Sequence, residues 1–206
     1  MIDVIAEIGS SHNGSLRRAL RLIDTASNCH ATTVKFQLFD ERLWRKNDSH
    51  YKKTLPLRLS LEWLPELRAR ADERGVEFLV TPFHPAHFMV LREIGVNRIK
   101  ISSGDLSYVP LLREASCYDM PVLLSTGFAT MGEIKTAVGH LRSIHSYLPI
   151  TLLHCVGGYP TAPKDANIAR ILDLKELAIS LDIKNVGLSS HVNEWYIDLI
   201  AIAYKI

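Results

Sequence analysis

Seven short apolar runs recur along the chain, VIAEIG, TTVKFQLF, EFLVTPF, NRIKISSGD, PVLLSTG, ITLLHCV and NVGLSSH, each rich in β-forming residues. Between them the apolar positions shift to a spacing of three and four, as in LRRALRLIDTASN, LEWLPELRARADERG, AHFMVLREIG, VPLLREASCY, EIKTAVGHLRSI and ANIARILDLKELAISL. That is the period of amphipathic helices. Thr130-Met131-Gly132-Glu133 has capping-box spacing, and Gly75 and Gly95 stand where two helices should stop. Strand and helix alternate, so an α/β fold of parallel strands joined by crossover helices is expected, either a TIM (β/α)8-type barrel or a doubly wound sheet.

The barrel is the preferred reading, because nearly every run turns from apolar to polar at its C-terminal end, where a barrel builds its active face. Glu7, Lys35, Gln37, Thr81, Lys100, Ser103, Asp105, Ser125, Thr126, His154 and His191 all fall there. An open sheet gathers ligands only around a switch point, and no dinucleotide or P-loop glycine pattern follows the first run. Strands are expected near 4–9, 32–39, 77–83, 97–103, 121–127, 150–156 and 185–191, making residues 1–206 one barrel with about seven βα units, incomplete by one strand. The charged segment 40–60 is longer than a simple connection and is read as an excursion over the active face or rim.

Composition narrows the classes. The chain has 206 residues, 47% hydrophobic and 22% charged, with a net charge of +2, the balance of a globular protein without a polyanion-binding surface. No basic leader with an apolar segment opens it and no window reaches the length of a membrane span, so a cytoplasmic protein with neither nucleic-acid nor membrane partners is expected. Cys29, Cys117 and Cys155 are widely spaced and form no CxxC pair, which reads as reduced thiols.

Lys35 and Lys100 lie within apolar strand sequence, where a lysine is costly unless an anion meets it. With hydroxyls from Ser103, Ser125 and Thr126 at neighbouring strand ends, the set suits a substrate bearing phosphate and carboxylate. Two alternatives stay open: pairing of each lysine with a strand-end acid such as Glu7 or Asp105, and a Schiff-base role. His191 at the end of the seventh run is a candidate ligand for a divalent metal, set against a rim or core histidine. His154 reads as supporting or core, His84 and His87 as a surface pair, and His12 as packing beneath the site beside an Asn13-Gly14 turn.

The segments AEIGSSHNGS (6–15), VKFQ (34–37), TPF (81–83), IKISSGD (99–105), PVLLSTG (121–127), LLHCVGGYP (152–160) and GLSSH (187–191) occur in an order that resembles the N-acetylneuraminate (sialic acid) synthases and their relatives making legionaminic and pseudaminic acids. The resemblance implies a TIM barrel that condenses phosphoenolpyruvate with an N-acetylated amino sugar of the N-acetylmannosamine type. The product would be a nine-carbon 2-keto acid, with phosphate released and a divalent metal, Mn2+ or Mg2+, assisting. By the same resemblance Lys35 and Thr81 match residues holding the phosphoenolpyruvate carboxylate, and Lys100, Ser103, Ser125 and Ser189 its phosphate shell. Gln37 and Tyr159 match sugar contacts, Glu7 the first-strand acid near the reacting groups, and His191 the first of two metal histidines. Asp105 occupies the place of a family glutamate and is taken with Glu7 as a catalytic carboxylate.

Other positions depart from that pattern. Val156-Gly157 replaces a polar pair, and Ser190 stands where the family has aspartate before the metal histidine. The eighth strand with the second metal histidine, and a C-terminal antifreeze-like domain, have no counterpart in the sequence. A homo-oligomer, or a partner chain completing the barrel, is the expected assembly. These departures leave a second reading open, a catalytically disabled protein that keeps the phosphoenolpyruvate or anion pocket. A third, another phosphoenolpyruvate-using aldol or phosphosugar enzyme on this fold, fits the contiguous motifs less well.

Overall fold

The structure is a computed structural model that describes residues 2–43 and 51–206. The chain divides into two compact units, one up to Ile99 and one from Lys100. The first holds β1 (Ile5–Gly9), α1 (Leu16–Asn28), β2 (Thr33–Leu38), α2 (Tyr51–Thr54), α3 (Leu64–Glu73), β3 (Glu77–Pro82) and α4 (His87–Glu93), and β4 (Ile99–Ile101) begins at its end. The second continues with α5 (Val109–Cys117), β5 (Val122–Ser125), α6 (Met131–Leu141), β6 (Ile150–Cys155), α7 (Arg170–Ser180), β7 (Asn185–Ser189) and α8 (Tyr196–Ala203). Each strand lies inside one of the seven apolar runs. Within each unit, chain neighbours pair in parallel, as crossover helices demand.

The helices form for the reasons their sequences suggest. In α1 the buried residues Ala19, Ile23 and Ala26 repeat every three or four positions, and the Ser15 side chain accepts from the Arg18 amide at its start. In α6, Thr130 and Glu133 close a reciprocal capping box, and Ile134, Ala137, Val138 and Leu141 supply the buried stripe. Gly75 and Gly95 follow α3 and α4 with positive φ, the left-handed stop that glycine adopts without a Cβ clash.

Two adjustments come with β4. The expected strand reached residue 103, but pairing stops at Ile101 and Ser103–Asp105 winds into a single 3-10 turn, so Ser103 and Asp105 lie on a turn. Of the charged segment 40–60, residues 44–50 lie outside the described residues, and Tyr51–Thr54 is helical.

Parallel register decides which face each strand residue takes. In the first unit Glu7 pairs with Lys35, Lys35 with Leu79 and Gln37 with Thr81, so these five residues share one face of the sheet. Val34, Phe36, Phe78 and Val80 point to the other, where all four are fully or almost fully buried. In the second unit Ser125 pairs with Leu153, and Cys155 with Ser189, which puts Ser125, Leu153, Cys155 and Ser189 on one face. Burial on both faces explains why these strands read as continuous apolar runs. β7 is the exception, half-exposed along most of its length.

Candidate functional site

In the first unit the polar residues on the shared face are few and specific. Lys35 is only 7% exposed, and its ammonium pairs with Glu7 on the adjacent strand. The scaffold alternative for Lys35 is therefore real: the buried charge is neutralised by the first-strand acid, whose own side chain is 44% exposed. Gln37 sits half-buried beyond Lys35 on the same strand face. Thr81 is buried, and its hydroxyl oxygen has no hydrogen-bond partner among the described residues. A buried hydroxyl without a partner costs about 1–3 kcal/mol unless something satisfies it.

The second unit carries the denser cluster. Lys100 is 8% exposed in the middle of β4. The Ser103 hydroxyl accepts from the Gly127 amide at 3.0 Å, tying the 3-10 turn to the loop after β5. Ser125 ends β5, fully buried, and its hydroxyl likewise has no partner among the described residues. Asp105 takes a hydrogen bond from the Ser102 hydroxyl, yet burial outweighs it and pushes the carboxyl above the usual carboxylate range. A carboxyl so placed keeps a proton further towards neutrality than a free aspartate does.

His191 is held from two sides. Its Nδ1 lies 2.7 Å from the Val156 carbonyl, which can only accept, so Nδ1 carries the hydrogen and Nε2 is the nitrogen free to bind a cation. The Tyr159 ring lies against the imidazole with centroids 3.8 Å apart and planes 32° tilted. The Cys155 sulfur is 3.8 Å from Nδ1 and 3.9 Å from Nε2. The hydrogen bond with Cys155 raises the His191 pKa against the effect of burial. Burial would raise the Cys155 thiol, but hydrogen bonds from His191 and Ser103 and the nearby Lys100 charge carry it lower. Ser189 is half-buried on the same face of the sheet as Cys155.

Four features were not visible in the sequence. Cys155 reads there only as one of three reduced thiols, because only folding puts His191, Ser103 and Lys100 beside it. Gly157 reads as a lost polar contact, but a Cβ there would stand 1.8 Å from the Phe128 ring, so the aromatic side chain occupies the space a side chain at 157 would need. His87, expected on the surface, is buried, and its Nε2 hydrogen bonds Asp40 at 2.9 Å; Asp40 also holds Arg42. The correction follows from α4, whose first turn faces the core through His87 and Phe88. Arg98 clamps Asp3, Thr33 and Glu77 near the N-terminal ends of the strands, away from the candidate site residues. His12 and His154 are both core: His12 packs against Phe36 and Trp63, and His154 Nε2 donates to the Ala166 carbonyl at 2.9 Å.

The model of the NeuB family matches residues 22–204. The chain belongs to the NeuB family. It is 33% identical to the N,N'-diacetyllegionaminic acid synthase of Campylobacter jejuni, covering 97% of this chain and 64% of that protein. It is 30% identical to the N-acetylneuraminate-9-phosphate synthase of Drosophila melanogaster, covering 84% of this chain and 50% of that one. The chain thus spans about half to two thirds of the length of these relatives. Among solved structures, the N-acetylneuraminic acid synthetase of Leptospira borgpetersenii, in complex with citrate, superposes with a TM-score of 0.90 at 33% identity, covering 98% of this chain and 69% of that one. The fold is therefore a TIM-type α/β barrel, with seven strands among the described residues where a full barrel has eight. Among the described residues no helix is long and apolar enough to cross a membrane, and all three cysteines are free.

Proposed function

We propose that this NeuB-family barrel binds phosphoenolpyruvate and an N-acylated amino sugar and joins them into a 2-keto sugar acid with release of phosphate. The observation that carries the reading is a pair of buried hydroxyls, Thr81 and Ser125, without hydrogen-bond partners among the described residues and set at strand ends. A buried hydroxyl without a partner is costly to leave bare, and His12 Nε2 and His87 Nδ1 share that condition in the core; what singles out Thr81 and Ser125 is their place at the polar ends of strands. Each lies in a unit that also brings a nearly buried lysine to the strands, Lys35 in one and Lys100 in the other. In each unit the lysine and the hydroxyl suit one anionic group, a carboxylate or a phosphate, in charge and hydrogen-bonding type.

In the reaction the methylene carbon of phosphoenolpyruvate forms a bond to the sugar aldehyde carbon, water adds at the neighbouring carbon, and the carbon–oxygen bond to phosphate breaks. Lys100, Ser103, Ser125 and Ser189 hold the phosphate, while Lys35 and Thr81 hold the carboxylate. Substrate binding then exchanges the Glu7 partner of Lys35 for the substrate carboxylate and leaves Glu7 to steer the attacking water. Asp105, with its raised pKa, gives a proton to the aldehyde oxygen as the new carbon–carbon bond puts negative charge on it. Gln37 and Tyr159 contact the sugar. His191, with Nδ1 bonded to the Val156 carbonyl, would hold a divalent metal, Mn2+ or Mg2+, through Nε2, and the metal would supply Lewis-acid polarisation of the aldehyde.

The test is phosphate release from phosphoenolpyruvate with N-acetylmannosamine and manganese, run beside binding of phosphoenolpyruvate by calorimetry, for the chain and for Lys100→Ala. Sugar-dependent release, lost with Lys100, supports the synthase reading. Binding without release supports the second reading, an anion-binding barrel, which the Phe128 ring over Gly157 and the serine at 190 favour. Absence of both from folded protein refutes the pocket itself.

A further inference from the structure

Phe128 stands where neither backbone preference nor burial would put it. Its φ is 65°, in the left-handed region that a Cβ disfavours and a bulky residue seldom enters. Its side chain is 79% exposed, so it forgoes most of the stabilisation that a phenylalanine gains in a core. The conformation is imposed from both sides of the loop between β5 and α6. Before Phe128, the Thr126 amide and hydroxyl donate to the Leu153 carbonyl, and the Gly127 amide donates to the Ser103 hydroxyl. After it, the Ala129 carbonyl accepts from Arg170 at 2.7 Å, and Thr130 caps α6. A residue held in a costly conformation by well-bonded neighbours, with its ring left in the open, points to a side chain that serves something other than the fold.

The ring reaches from the phosphate side of the proposed site to its sugar side. Phe128 follows Gly127, the residue bonded to Ser103, a phosphate contact in the proposed reaction. Its ring tip ends over Gly157, where Cζ lies 1.8 Å from the place of a Cβ, so only a glycine there admits the ring. Two residues further on is Tyr159, the proposed sugar contact, itself exposed and laid against the His191 ring at 3.8 Å. Two exposed aromatic rings on the loops after the adjacent strands β5 and β6 make an apolar platform beside hydrogen-bonding groups. Compact, highly charged phosphoenolpyruvate gains little from such a platform, whereas an amino sugar offers it C–H faces and an acyl methyl.

We propose that Phe128 is a sugar-binding residue that packs, with Tyr159, on the C–H face and acyl methyl of the acceptor and so favours N-acylated amino sugars over plain hexoses. The proposal rests on the reading of the site as one for phosphoenolpyruvate and an amino sugar, and adds a contact residue and a source of acyl selectivity. In place of the polar contact that a longer side chain at 157 would give, the ring gives the sugar an apolar one.

The test is titration of the chain with N-acetylmannosamine and with mannose in the presence of phosphoenolpyruvate, followed by saturation-transfer NMR. Phosphoenolpyruvate binding is measured by calorimetry and stability by urea unfolding. The variants are Phe128→Gly and Phe128→Asn, which suit a left-handed backbone, and Phe128→Tyr, which keeps the ring. N-acetylmannosamine affinity should fall about fivefold in the first two, the contribution of burying roughly half a phenylalanine side chain, and hold in Phe128→Tyr. Mannose should bind more weakly and respond less. Phosphoenolpyruvate affinity should hold throughout, and the urea midpoints of Phe128→Gly and Phe128→Asn should not fall, because both relieve the backbone. Unchanged N-acetylmannosamine affinity in those two variants, with phosphoenolpyruvate still bound, overturns the proposal and leaves the site reading standing, as does a native chain that binds phosphoenolpyruvate but no sugar. Equal losses for both ligands, or lower urea midpoints, show a ring that props the loop and also overturn it. Folded native chain that binds neither ligand overturns the site reading and the proposal with it.

Discussion

Arg98 offers the sharpest quantitative test of how the first unit is held together. Its guanidinium bonds Glu77 at 2.9 and 3.0 Å and the Thr33 hydroxyl at 3.0 Å, and it also reaches Asp3, which itself accepts from Thr32 and Thr33. Thr33 and Glu77 are the first residues of β2 and β3, so the fork ties strand beginnings together, the end of a barrel where conserved chemistry is not expected and stability is. Replacing Arg98 with methionine keeps much of the stem but leaves two carboxylates without their cation. Hydrogen bonds to charged groups contribute about 1.5–3 kcal/mol each when well buried. Arg98, Glu77 and Asp3 are 22%, 24% and 37% exposed at their side chains, so solvent screening reduces that figure and about 2–3 kcal/mol for the whole fork is the working value. For a chain of this size that lowers Tm by about 4–12 °C.

Urea unfolding at pH 7 measures the loss directly, and a cost below about 0.5 kcal/mol, the range of an ordinary surface substitution, refutes the clamp. The pH dependence gives a second check. Burial would raise the Asp3 pKa, but hydrogen bonds from Thr32, Arg98 and Thr33 outweigh it and lower the value from 3.8. A carboxylate depressed in the folded state contributes stability above its unfolded pKa and loses it as pH falls through the lower folded value. The gap between the native chain and Arg98→Met should therefore narrow below about pH 4. A gap of constant size across that range would mean the Asp3 pairing contributes nothing.

Three further outcomes follow from single side chains. His87 is buried with its pKa lowered from 6.5, chiefly by desolvation and despite Asp40. Its folded form resists protonation, so stability present above pH 6.5 declines as pH falls below it, and His87→Asn should flatten that decline in melting curves between about pH 7 and 5. Gly14 and Gly75 both have positive φ, at 68° and 67°, but a Cβ at 14 meets the Pro56 carbonyl at 2.5 Å whereas one at 75 meets nothing within 4 Å. Gly75→Ala should cost about 1–2 kcal/mol for the left-handed backbone alone, and Gly14→Ala clearly more, both read from denaturant midpoints; equal costs would show the Pro56 contact to be soft. Gly157→Ser should displace the Phe128 ring, which is 79% exposed, at a stability cost of under about 1 kcal/mol. Phosphate affinity measured by calorimetry should then rise if the hydroxyl reaches the anion, and stay level if Phe128 returns over it.

Much of the molecule was legible along the chain. Strand positions followed from short runs such as TTVKFQLF, rich in β-branched and aromatic residues and set between stretches of helical period. Capping at Thr130 and the stops at Gly75 and Gly95 followed from local chemistry acting within one turn. The candidate lysines, hydroxyls and His191 stood out because polar residues at strand ends break an apolar pattern. What failed was anything depending on which residues meet across strands or loops. His84 and His87 read as a surface pair because Pro85 lies between them and no third ligand is near in sequence, and only the packing of α4 turned His87 inward onto Asp40.

The sequence by itself therefore determined the alternation of strands and helices, the polar positions at strand ends and the family, since each rests on local pattern or on ordered motifs. Tertiary structure alone decided that Lys35 is matched by Glu7 and that the Thr81 and Ser125 hydroxyls lack partners among the described residues. It also placed Phe128 in the space of the missing side chain at 157 and brought the Cys155 sulfur up to His191, residues 36 positions apart. The physical reason is the same in every case: periodicity determines which way a residue faces, but the identity of its neighbour depends on register, turn geometry and burial that no local stretch encodes.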